Sequence, residues 1–353
     1  VLTESLPGQL PKAIGIEYYE GKNIYKADKD YDDSNAYLKR HIYARQEVIL
    51  AGGTFNTPQL LMLSGIGDRK ELKKVGIDAI VDLPGVGKNL QDRYEVPVSV
   101  ELKEDLSLLR SCRPTAPQDP CLDSYFSGAW EMLNKEFHGP YSMNGIFGMR
   151  IENSGHSKVA APDLAIVGLP IGYTGIYPGF STRWAANRWT WLVLKGHNSN
   201  SGGTVTLRSA DPRDTPEINF HHFWEGNGDW KSDLASLVNG VKFARSYLKD
   251  ASVSGLIARE ITPGDNLQSD AEIEQYIKDE TWGHHASCTA KIGSDKDKMA
   301  VLDSKFRVRG VKGLRVVDAS AFPYIPGFFP VAAVFMISEK ASEDIMRDAY
   351  QHS

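Results

Sequence analysis

Residues 282–293, WGHHASCTAKIG, and residues 303–341, DSKFRVRGVKGLRVVDASAFPYIPGFFPVAAVFMISEKA, decide how the chain is read. The first places two adjacent histidines, His284 and His285, among Gly, Ser, Cys and Thr. The second carries an apolar strand, Leu314 to Val317, that ends at Asp318. A loop punctuated by Pro and Gly comes next, then an apolar run that reads as a helix. An imidazole, a strand end and a helix start in succession are the parts of a buried cofactor site. The imidazole moves protons. The helix N-terminus offers unpaired N–H groups to a carbonyl-rich or anionic ligand.

Outward from this stretch, the chain alternates strands and helices. Residues 12–20 alternate as a strand, and Tyr37 to Val48 resumes strand character. Val48 to Ala51 is a continuous apolar run ending at Gly52-Gly53, read as a buried parallel strand feeding a loop. Thr57-Pro58 reads as the N-cap and first position of a helix ending at Ser64-Gly65. A second helix starts near Asp68 and stops at Gly76. From Val96 to about His197 the character changes. Strands over Val96–Leu102, Leu164–Leu169 and Trp189–Lys195 accompany a helix over Leu122–Phe137 and many aromatics, read mostly as core. Thr204 to Leu207 is a short strand. Amphipathic helices are expected over Asp229–Lys249 and Asp270–Lys278.

With 353 residues, the chain is long enough for two domains or one large α/β unit. A net charge of −5, from 40 basic and 45 acidic residues, offers no basic excess for phosphate neutralisation. Nucleic acid and anionic membrane are therefore not expected as partners. No apolar run approaches the roughly 18 residues of a membrane span. Three cysteines are too few for a disulfide scaffold. Cys112 and Cys121 share a Pro-rich loop and are read as free thiols, with pairing as the alternative. The absence of an N-x-Ser/Thr sequon leans towards a cytoplasmic protein, with secretion the alternative.

The histidines are neighbours, so only one faces a given site in regular backbone. A zinc site from His284, His285 and Cys288 lacks a fourth ligand at suitable spacing, so no metal is expected. There is no G-x-S-x-G, HExxH, CxxC or Walker loop. Nor does a G-x-G-x-x-G follow a strand. Gly65-Ile66-Gly67 follows a helix and Gly85-Val86-Gly87 sits in a loop.

Residues 53–67, GTFNTPQLLMLSGIG, resemble a signature of the glucose–methanol–choline (GMC) oxidoreductases. Residues 83–92, LPGVGKNLQD, continue the likeness, as do 203–211, 301–319 and 336–341. The resemblance implies an α/β (α+β) fold: an FAD/NAD(P)-binding Rossmann-like domain, incomplete at its N-terminus, with a substrate-binding domain of antiparallel sheet plus helices. It divides the chain into an FAD-binding segment, 1–95, a mainly substrate-binding part, 96–280, and an FAD-binding segment with the catalytic His loop, 281–353. FAD is the implied cofactor. The implied reaction is oxidation of CH–OH groups in a small alcohol, aldehyde or formate-like substrate. Counted back from Gly293, His285 is the base that takes the hydroxyl proton while hydride passes to flavin N5; His284 is the other candidate. Asp318 and Ala319 match the strand end beside the flavin. Phe329, Pro330 and Val331 match the start of the last helix, and Ala51 and Gly52 the turn near the adenosine.

Two departures shape the expectation. The family usually carries His or Asn where this chain has Phe329, which can neither accept a proton nor hydrogen-bond an alkoxide. That favours a non-redox lyase or cyclase, or a non-catalytic binding protein, as rival readings. The N-terminal third that grips the FAD pyrophosphate has no counterpart in the sequence. The chain is therefore expected to be a fragment whose partner is a missing N-terminal segment.

Overall fold

The computed structural model describes residues 1–130, 139–157, 160–180 and 185–351. In chain order the first elements are β1 (Leu2–Glu4), β2 (Lys12–Glu20), β3 (Leu38–Tyr43), β4 (Val48–Leu50), α1 (Gly53–Leu63), β5 (Ile66–Gly67), α2 (Arg69–Lys74) and β6 (Val81–Asp82). Next come β7 (Tyr94–Leu102), α3 (Pro120–Trp130), β8 (Gly148–Glu152), β9 (Leu164–Leu169), β10 (Arg188–Lys195), β11 (Thr204–Thr206) and β12 (Glu217–Asn219). The chain continues with α4 (Trp230–Leu248), α5 (Ala251–Ser254), β13 (Ile257–Thr262), α6 (Asp270–Glu280), β14 (Leu314–Val316) and α7 (Val331–Gln351). Residues 1–92, 200–228 and 285–353 form one compact unit, and residues 93–199 and 229–284 a second. The fold is mixed α/β, as expected. Among the described residues no helix is long and apolar enough to cross a membrane.

In the first unit β4 and β14 pair in parallel, Val48 opposite Leu314 and Leu50 opposite Val316. Their inward residues join Leu61, Met62, Ile66, Leu302 and Phe306 in one apolar core. Ile49 departs from the expected fully buried strand and is exposed. Successive strand residues face opposite sides of a sheet, and its side is uncovered among the described residues.

Helix α1 begins earlier than the Thr57-Pro58 signal suggested. Its N-cap is Gly52, with no side-chain cap, and Pro58 lies inside the helix. Proline has no N–H, so the carbonyl four residues back, that of Thr54, loses its intrahelical donor. Thr289 supplies a replacement, its hydroxyl donating to the Thr54 carbonyl at 2.6 Å.

Residues 200–228 were expected in the second domain but group with the first unit. The reason is backbone pairing. Val205 N–H donates to the Gly87 carbonyl at 2.7 Å, and Leu90 N–H to that of Gly203 at 2.9 Å. Gly87 has φ +75°, and a Cβ there would meet the Val205 carbonyl oxygen at 2.1 Å. Only glycine tolerates both constraints.

The second unit carries a five-stranded sheet in the order β13-β7-β10-β9-β8, antiparallel at every pairing. Strands β8 and β13 were not foreseen, because both are largely exposed and lack a clean apolar alternation. Helix α4 buries Leu234, Leu237, Val238, Val241 and Ala244, the stripe its spacing dictates. It approaches the sheet closely at Gly240, where a Cβ would meet Val193 Cγ1 at 2.4 Å. Helix α6 starts with a capping box between Ser269 and Glu272.

Three readings need correction in this unit. Cys112 and Cys121 are joined by a disulfide, not free, with Cα atoms 5.0 Å apart. The helix expected over 122–137 begins at Pro120, and its part beyond Trp130 lies outside the described residues. Tyr125, Phe126 and Phe147, taken as core aromatics, are exposed.

Under α4 lies a buried charge cluster. Lys195 Nζ sits 3.1 Å from Asp163 and 3.6 Å from Asp233, and all three residues are buried. Ser154 donates to Asp163 from its N–H and its hydroxyl, both at 2.7 Å. Ser199 does the same for Asp233. Burial alone would raise Asp163, but the Ser154 donors and Lys195 hold it below the usual carboxylate range. Burial wins at Asp233 and raises it. The Asp163 contribution to stability is present above the unfolded carboxylate pKa and is lost as pH falls through its lower folded value. The Asp233 contribution has the opposite sign, being lost as pH rises through its raised value. Removing the ammonium leaves two buried carboxylates without it. Lys195→Met is therefore expected to cost roughly 3–5 kcal/mol in urea unfolding; a loss below about 1 kcal/mol would show the cluster is not organising this unit.

Candidate active site

The parallel strands β4 and β14 end side by side, and one carboxylate ties together the turns beyond them. Asp318 Oδ2 accepts from Gly53 N–H at 3.0 Å and from the Thr57 hydroxyl at 2.6 Å. Asp318 Oδ1 accepts from Ser320 N–H at 2.7 Å. Thr57 in turn accepts from Gly52 N–H at 3.0 Å. The turn after β4, the first turns of α1 and the turn after β14 are thus fixed through a single side chain. Thr57 serves this network from inside the helix, where the sequence had suggested a cap.

The His loop is laid over the same turn. Cys288, Ala290 and Ile292 donate backbone N–H groups to the carbonyls of Ala319, Ser320 and Ala321 at 2.8–3.0 Å. Ser287 and Gln91 exchange backbone hydrogen bonds at 2.9 and 3.1 Å. Thr54 donates its hydroxyl to the Ala286 carbonyl at 2.8 Å. Asn89 Nδ2 donates to the carbonyls of Cys288 and Pro323, and Gln91 Oε1 accepts from Ile325 N–H. These amides join the His loop to the segment leading into α7. Sequence reading assigned no role to Thr54, Asn89, Gln91, Asp92 or Thr289. Each has a polar or small residue beside it in the sequence, so nothing local set them apart.

His285 sits in this frame. Its N–H donates to Asp92 Oδ1 at 2.8 Å, and the residue is 9% exposed. Its imidazole packs edge-on against Phe329, ring centroids 5.8 Å apart and planes at 74°. The structure therefore brings together His285, Phe329 and, through Asn89 and Gln91, the approach to Pro330 and Val331 at the start of α7. Phe329 is exposed on its other side and offers an apolar wall.

His284 belongs to the second unit. It is exposed, unlike its buried neighbour. Its Nδ1 lies 3.2 Å from the fully buried Glu95 carboxylate, and its ring stacks on Trp282 at 5.3 Å. Trp282 meets Tyr173 edge-to-face at 5.4 Å. Burial, then the Glu95 charge, pushes the Tyr173 hydroxyl up to about 12. Sequence reasoning did not single out Glu95 or Tyr173.

Ala51 and Gly52 are exposed at the end of β4, and Ala319 is partly exposed just beyond β14. Small residues there leave room for a planar ligand above the carboxyl ends of parallel strands, the usual ligand position in such sheets. Ser320 Oγ is buried with no hydrogen-bond partner among the described residues. The residues present fit the edge of a flavin. A glycine turn to grip its pyrophosphate is not among the 353 residues.

Two family models described as GMC oxidoreductase match residues 7–95 and 199–338. The chain belongs to the GMC oxidoreductase family. It is 34% identical over 338 residues to the oxygen-dependent choline dehydrogenase of Brucella anthropi, covering 95% of this chain and 55% of that one. It is 37% identical over 312 residues to its Staphylococcus aureus counterpart, covering 88% and 51%. The chain thus spans about half the length of the curated relatives it matches. Among solved structures, a formate oxidase superimposes with TM-score 0.74 at 27% identity, over 89% of this chain and 56% of that one. A pyridoxine 4-oxidase, at 21% identity and TM-score 0.66, covering 93% and 56%, shares the fold.

The Thr289–Pro58 pairing gives a direct test of the frame. Thr289→Val should cost about 1–3 kcal/mol, the penalty for a buried unsatisfied carbonyl. In a Pro58→Ala background the restored N–H at position 58 should reach the Thr54 carbonyl, and the cost of Thr289→Val should fall to less than half. Equal costs in the two backgrounds by chemical denaturation would contradict the assignment.

Proposed function

We propose that this chain carries the His loop and substrate-binding part of an FAD-dependent oxidoreductase acting on CH–OH groups, with His285 as the base. The observation that supports it most is the joint placement of the buried His285 imidazole, the Asp318-locked strand ends and the start of α7 within one unit. FAD, when bound, supplies a two-electron acceptor. The protein's own work is to bind and orient the alcohol and to take its proton. His285 is held from its backbone by Asp92 and from one ring edge by Phe329, so its orientation is set before substrate arrives. An imidazole nitrogen can take up a proton from a hydroxyl within hydrogen-bond reach, which suits proton removal. Ala51, Gly52, Asp318 and Ala319 form the proposed cofactor edge. Phe329, Pro330 and Val331 bring the N-terminal end of α7 to it, where unpaired N–H groups suit a carbonyl-bearing ring.

The substrate class is a small alcohol, aldehyde or formate-like molecule, consistent with relatives described as a choline dehydrogenase and a formate oxidase. The domain assignment accords with this reading: residues 1–95 and 281–353 serve mainly the cofactor and 96–280 mainly the substrate, with 200–228 moved to the cofactor part. The Cys112–Cys121 disulfide supports an oxidising compartment over the cytoplasmic one.

Phe329 favours a second reading, a lyase or cyclase that keeps flavin without reducing it, because no proton-transferring group stands at that position. Anaerobic addition of a primary alcohol to the flavin-loaded protein separates the two. The redox reading predicts bleaching of the flavin absorbance, slowed at least about 100-fold by His285→Ala. Turnover without bleaching would support the second reading, and an unchanged rate in His285→Ala would remove that residue from the chemistry.

A further inference from the structure

At the opposite ends of β4 and β14 the first unit holds a cavity of about 990 Å³. Gln46 and Glu47, which precede β4, and Gly313, which precedes β14, line it together with the last turns of α7. Ala51, Gly52 and Asp318 lie beyond the far ends of the same strands. The strands are parallel, so the cavity and the proposed cofactor edge lie at opposite ends, about 10 Å of strand apart. The cavity is a separate place for chemistry.

Its walls carry six cations against four carboxylates. Each carboxylate already has a partner. Arg307 pairs with Asp303 at 2.8 Å and Arg309 with Asp295 at 2.7 Å. The buried Arg315 holds Glu47 and Asp348, both at 2.8 Å. That leaves Lys12, Arg45 and Lys312, whose side chains pair with no carboxylate among the described residues.

The three are brought together by backbone. Ala13 N–H donates to the Lys312 carbonyl and Lys312 N–H to that of Pro11, both at 2.8 Å, which places Lys12 directly opposite Lys312 in a parallel bridge. Ala13 and Val311 are buried in the core, so strand alternation turns both lysines outward on one side. Ala44 N–H donates to the Ile14 carbonyl at 2.8 Å and sets Arg45 beside the same strand. Like charges directly opposite each other repel. The register cannot relieve this, because a slip by one residue would pull Ala13 and Val311 from the core. An anion between the side chains turns that repulsion into shared coordination, and arginine adds a planar fork suited to phosphate or carboxylate.

We propose that this cavity binds a small polyanion of two or three negative charges, bearing phosphate or several carboxylates, held by Lys12, Lys312 and Arg45. The proposal stands independently of the redox reading, since none of these residues belongs to the cofactor edge or the His loop. The test is calorimetric titration at low ionic strength with inorganic pyrophosphate and, separately, with citrate. Saturable one-to-one binding with Kd below about 1 mM is expected for at least one probe. The responding probe identifies the anion class. Binding should weaken at least about tenfold in Lys12→Ala/Lys312→Ala and in Arg45→Ala, each an exposed position whose change leaves the core intact. Lys70→Ala, an exposed lysine on α2 outside the cavity lining, should bind as the wild type does. No saturable binding of either probe, or equal affinity in wild type and the lysine variant, would overturn the proposal.

Discussion

The Asp318 carboxylate is the constraint on which the first unit depends. It is separated by 265 residues from Gly53 and by 261 from Thr57, yet it takes a hydrogen bond from each. A third bond from Ser320 fixes its own turn. Two strands of three residues each make few ladder bonds of their own. Their relative placement at the carboxyl ends rests heavily on this side chain. A charged acceptor bound to several donors is also stronger than its neutral equivalent, which suits a position where two distant segments must meet.

The other features of the unit are attached to that point one after another. The His loop hydrogen-bonds to the backbone of residues 319–321, directly after Asp318. Asn89 and Gln91 then fasten the loop to residues 323–325, and Thr289 completes the helix that Pro58 left one donor short. The backbone of His285 inherits its position from this chain of bonds. The second unit has its own organising interaction in Lys195, with two carboxylates and a serine on each. Both units thus use buried acceptors to specify geometry that apolar packing alone leaves degenerate.

Much of this was legible in the residues. The strand ending at Asp318, the amphipathic stripe of α4 and the glycine stops of α1 and α2 are local signals, and each was read from spacing. The family motif lay in consecutive residues and was equally plain. The failures were of a different kind. The start of α1 was misplaced because Thr-Pro is a good local cap signal, overridden by a tertiary bond to Asp318. β8 and β13 were missed because exposed edge strands carry no apolar alternation. The Cys112–Cys121 pairing, the role of Thr289 and the Glu95–His284 contact depend on which segments meet, which sequence spacing does not encode. The opposition of Lys12 and Lys312 is of the same kind, two ordinary surface lysines until the register sets them face to face.

The central claim is that the Asp318-locked ends of β4 and β14 form the cofactor edge. A crystal structure of the protein with FAD bound tests it most directly. The account predicts flavin density in van der Waals contact with Ala319 and with the first residues of α7, on the His285 side of the strand ends. Flavin seated elsewhere, with Asp318 and its partners unchanged and remote from it, would contradict the account.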